Sequence, residues 1–139
     1  MNLPAGPEQR LRFAEFALDR LPSGRCHARV RLTWLGDREF AGEAHGLTSQ
    51  AGELRCAAEA CLEALGKSVE GRLKFELVGV KSVKVFDSTV VIVSLGVHGE
   101  AVPPRVVGSC LTEDDTARAA ALAVLNATNR LLGNRLFMR

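Results

Sequence analysis

Along residues 28–34 apolar and polar side chains alternate, with Ala28, Val30, Leu32 and Trp34 on one side and Arg29, Arg31 and Thr33 on the other. That period of two predicts a strand with one face buried and one face wet. Leu73, Phe75 and Leu77 repeat the pattern. Elsewhere the spacing changes to that of a helix: Leu54, Ala57, Ala58, Cys61, Leu62 and Leu65 form one stripe, and Ala117, Ala120, Ala121, Val124, Leu125 and Thr128 form the same stripe 63 positions later. Arg10-Leu11-Arg12-Phe13 likewise returns as Arg72-Leu73-Lys74-Phe75. Self-similarity of this kind marks a duplicated supersecondary unit.

Turn residues divide each copy in the same way. A strand over 11–21 ends at Pro22-Ser23-Gly24, and Gly36-Asp37 closes a hairpin between strand 28–34 and strand 39–44. His45 to Ser49 is a polar break before a helix over 50–65, which Gly66 is expected to stop. In the second copy, a strand over 72–85 carries a break near Gly79, a turn falls at Asp87-Ser88, and strands over 89–95 and 105–111 flank a loop containing Pro103-Pro104. Thr112 opens the last helix, its hydroxyl placed to accept from the Asp115 amide, and Gly133 is the expected stop. The expected architecture is α+β. Residues 10–134 form one domain of two βββα repeats, 10–66 and 72–133, about a pseudo-twofold axis, with one antiparallel sheet carrying two helices on one face. Residues 1–9 are expected to be flexible.

Strand 89–95 breaks the alternation, since Val90 and Ile92 point one way and Val91, Val93 and Leu95 the other. A strand apolar on both sides is usually covered on both. Val91, Val93 and Leu95 are expected to form the open face and a homodimer interface. The alternative cover is the chain's own N-terminal segment or the tail Leu136-Phe137-Met138.

Composition adds limits more than activities. The 139 residues are 47% apolar and 24% charged, ordinary for one globular domain, and the formal net charge is only +2. No signal-peptide pattern opens the chain and no apolar run is long enough to span a bilayer, so a cytoplasmic protein with no membrane partner is expected. Cys26, Cys56, Cys61 and Cys110 have no metal-ligand spacing and read as free thiols in the core. His27, His45 and His98 lie at no spacing that implies a triad, Gly108-Ser109-Cys110 sits inside a strand, and Glu113, Asp114 and Asp115 fit a helix start better than a metal site. No catalytic residue, metal site or cofactor is therefore assigned, although Cys110 and His45 are the residues a hydrolase or transferase would use. Gly42 and Gly108 hold matching strand positions, which suggests a helix packed tightly over each.

A helix start offers unpaired amides to a carboxylate. His45, Gly46, Thr48 and Ser49 before the first helix, and Thr112 and Asp115 before the second, are accordingly the candidate ligand residues, with a small amino acid or organic acid as the ligand. Asn126, Asn129 and Arg130 share one face of the last helix, as solvated surface or as the wall of a polar pocket. A competing reading places nucleic acid on Arg29 and Arg31, with Arg10, Arg12 and Arg25 near. The absence of Tyr, the 5% aromatic content and the interspersed acids Glu15, Asp19, Asp37, Glu39 and Glu43 argue against it.

The order strand-strand-strand-helix given twice, with Gly108 in the third strand, Asp115 at the helix start, Ala119-Ala120-Ala121 and Asn126-Ala127-Thr128-Asn129-Arg130, resembles the C-terminal regulatory domain of alpha-isopropylmalate synthase. The resemblance implies a dimer that binds leucine between its helices, with Gly108, Asp115, Asn129 and Arg130 as the corresponding positions. The first copy departs from that family's glycine-proline-aspartate pattern at Ala44-His45-Gly46-Leu47-Thr48-Ser49.

Overall fold

A computed structural model describes residues 11–35, 37–69 and 73–137. Strands β1 (Arg12–Arg20), β2 (Arg25–Trp34) and β3 (Arg38–Leu47) are followed by α1 (Gln50–Val69); β4 (Lys74–Val85), β5 (Ser88–His98) and β6 (Arg105–Thr112) are followed by α2 (Thr116–Phe137). The fold is α+β, βββα given twice. Each repeat forms its own antiparallel sheet, in the orders β1-β2-β3 and β4-β5-β6. The single continuous sheet expected from the sequence is therefore replaced by two. The edge strands β1 and β4 do not pair with each other. Instead α1 lies on β2 and β3 and reaches across to β4, while α2 lies on β5 and β6 and reaches β1. The two helices also pack on each other. A helix apolar over more than one stripe can face its own sheet, its partner helix and the other repeat at once, so the halves join through helices and not through a shared ladder.

Alanine makes this close packing feasible. Ala57, Ala58, Ala60, Ala64, Ala119, Ala120, Ala121 and Ala123 are all buried, and short side chains let axes approach. The strand glycines complete the fit. A Cβ on Gly42 would be driven into the backbone of Ala60 and Ala64, and one on Gly108 would sit 2.6 Å from the Ala127 Cβ and against the Ala123 carbonyl. Gly42 and Gly108 thus occupy equivalent seats, as their recurrence in the sequence suggests.

The side chains Val91, Val93 and Leu95 are fully buried, in one core cluster with the helix alanines. Their assignment to an exposed dimer face is overturned. Val93 is opposite Gly108, whose missing side chain is where α2 sits, so the odd-numbered side of β5 faces the helix. The outward side carries Val90 and Ile92. Leu136 and Phe137 belong to α2, and Met138 lies outside the described residues.

Several boundaries also move. His45 and Gly46 lie within β3, not in a loop, because β2 keeps pairing with them as far as Arg25 opposite Leu47. Neither Gly66 nor Gly133 ends its helix. Beyond Gly66 the chain still buries Ser68 and Val69, which holds the extra turn. The break near Gly79 is a bulge between Leu77 and Gly79. The expectation for residues 1–9 and the side chain of Arg130 fall outside the described residues, as does Gly36 of the first hairpin.

Candidate functional site

Each helix start is capped in part by its own side chains. The Gly52 amide donates to Ser49 Oγ at 3.0 Å, and the Thr48 amide donates to the Gly24 carbonyl at 2.9 Å. Before α2, the Asp115 amide donates to Thr112 Oγ1 at 3.1 Å, as the capping reading requires, and Asp115 Oδ1 accepts from the Arg118 amide at 3.0 Å. These bonds take up amides that an anionic ligand would need. Thr112 and Asp115 line a cleft of about 260 Å³ with Cys110, Asp114 and Arg118. Its two carboxylates oppose an acid, and the Arg118 guanidinium lies 5.2 Å from the Phe13 ring centroid.

The remaining candidate residues do not converge on that cleft. Gly46 faces α1, where a Cβ would meet Cys56 Cβ at 3.3 Å. His45 lies on the solvent side of the first sheet, stacked on His27 with ring centroids 4.3 Å apart. Asn129 is half-buried in α2, about 20 Å along the helix axis from Asp115 at about 1.5 Å per residue. Among the described residues no group of three or more His, Cys, Asp or Glu side chains is gathered to hold a metal ion, and no helix is long and apolar enough to cross a membrane.

Three thiols are buried and Cys110 is half-buried. Burial pushes the Cys61 thiol well above its ordinary pKa. Cys56 is raised too, first by burial and then by its hydrogen bond with Cys26. Burial also raises Cys110, with Arg118 acting the other way. A thiol held protonated is a poor nucleophile.

The solvent faces of the two sheets differ sharply. On the first, Arg29 meets Asp19 at 3.3 Å, Arg31 meets Glu15 at 3.3 Å and Glu39 at 2.7 Å, and His27 lies 3.4 Å from Glu43. Hydrogen bonding to Glu15 and attraction to Glu39 raise the Arg31 pKa and hold it charged. The arginine stripe is thus answered by acids on both neighbouring strands, which removes most of its pull on phosphates. On the second sheet, Val83, Ile92, Val107 and Leu111 are 37%, 38%, 63% and 64% exposed, with Val90 half-buried between them. At the end of this face Phe86 is 98% exposed and holds φ at 56°, a left-handed conformation costly for a bulky residue. Alternation could not have found this face, because β5 is apolar on both sides; the Gly108 seat was the available signal. No family model matches the chain, and no curated protein is similar to it.

Proposed function

We propose that this chain is an interaction domain without a catalytic step of its own, which pairs with a second copy through the outer face of the β4-β5-β6 sheet. One observation carries the reading: two repeats of the same fold present unlike outer surfaces, one laced with ion pairs and one carrying exposed aliphatic side chains, with Lys81 and Ser109 beside Ile92. Fully burying one such aliphatic side chain is worth roughly 1.5–3 kcal/mol. The ion-paired face of the first repeat is a poor partner for this surface, which favours like on like about a twofold axis. Three strands about 4.8 Å apart and about ten residues long present about 500 Å² in plan, short of the ~800 Å² per partner of a standard interface. Pairing should therefore depend on concentration. A carboxylate ligand at the helix starts would have to displace Ser49 and Asp115 from their amides, and a nucleic acid would have to displace Glu15, Asp19 and Glu39 from the arginines. Light scattering tests the reading: the natural chain is expected at twice 15.0 kDa or more, with Ile92→Asp reducing that mass while the circular dichroism stays unchanged. An unchanged mass in Ile92→Asp would remove the proposal.

A further inference from the structure

The edge strands β3 and β6 hold equivalent places in the two repeats, yet α1 covers both a donor and an acceptor of β3 while α2 covers only an acceptor of β6. On β3 the Glu43 amide donates to Glu63 at 3.3 Å and the Ala41 carbonyl accepts from Lys67, so α1 covers both kinds of edge group. The helix position equivalent to Glu63, 63 residues on, is Asn126, whose side-chain amide donates to the Ser109 carbonyl at 2.9 Å. That bond shows that the backbone of Ser109 points to the free edge, and by strand alternation so do Val107 and Leu111. The acceptor that β3 receives from Glu63 has no counterpart here. Among the described residues nothing accepts from the amides of Val107, Ser109 or Leu111, and α2 offers no carboxylate where α1 has Glu63. An open edge with exposed apolar side chains is a template for strand addition.

We infer that β6 pairs antiparallel with β6 of a second copy, centred on Ser109. In that register Val107 meets Leu111 of the other copy, and Arg105 meets Glu113. Arg105 and Glu113 are exposed and have no ion-pair partner among the described residues. The strand is thus complementary to itself in backbone, apolar side chains and charge. The edge contact shares Val107 and Leu111 with the apolar face but runs through the backbone of β6, and a chain using both about perpendicular, meeting twofold axes builds an assembly of four.

Proline at Ser109 removes only an edge-facing N–H, which an outer strand tolerates. Light scattering on the natural chain, Ser109→Pro, Ile92→Asp and the double variant separates the contacts. Ser109→Pro is expected to halve the natural mass, and the double variant to run at 15.0 kDa. Ile92, on the central strand, reads the face, while the charge pair at Arg105 and Glu113 reads the edge, since Ser109 itself lies beside Ile92 on the face. A charge arm guards against a proline that disturbs the fold: Arg105→Glu and Glu113→Arg should each lower the mass, and the two together should restore it. A Ser109→Pro mass equal to the natural one, or no restoration by the swap, overturns the inference.

Discussion

At Gly108, α2 rests on the space that the missing side chain leaves. Gly108→Val would push a branched side chain into the Ala123–Ala127 turn. It should cost about 3 kcal/mol in a urea titration, against about 0.5 kcal/mol or less for Ser109→Ala on the outward side. This seat was legible in the sequence, since only a steric need explains glycine at one strand position in both repeats. The thiols set a second expectation at this scale. Cys56 and Cys61 are raised in the folded chain, and an unfolded thiol ionises near about pH 8.5. Above that pH the unfolded chain loses protons that the folded one keeps. Stability is therefore full below about pH 8.5 and falls as pH rises toward the folded values. Urea titrations at pH 7.5 and pH 10 check this, and Cys61→Ala should flatten the difference.

The helices show which local signals decide and which are overruled. Thr112 and Asp115 read correctly as a helix start because capping is chemistry within one turn, independent of the rest of the fold. Asp115→Ala should cost about 1 kcal/mol, measured by thermal unfolding. Gly66 and Gly133 misled because glycine permits a helix stop without requiring one. Ser68 and Val69 gain burial by continuing α1, and that tertiary gain is invisible in a local pattern. His45 and Gly46 misled for a related reason. Their ladder with Cys26 and His27 extends β3, whereas their composition resembles a loop.

At the scale of the molecule the duplication was legible, and the way its halves join was not. Two three-stranded sheets and one six-stranded sheet demand the same alternation from every strand. The difference lies in α1 touching β4 and α2 touching β1, contacts between residues far apart in sequence. The side of β5 that faces α2 was undecidable from β5 alone, where both sides are aliphatic. It follows once Gly108 is placed opposite Val93. The same step moves the exposed apolar surface to Ile92, Val107 and Leu111, where a charged lattice stands in the other repeat.

Sedimentation equilibrium of the natural chain across a wide concentration range bears on that surface most directly. The mass is expected to climb from 15.0 kDa to twice that or beyond, with Ile92→Asp lagging behind at every concentration. A natural chain that stays at 15.0 kDa throughout, or an Ile92→Asp curve that superposes on the natural one, would rule out pairing through this face.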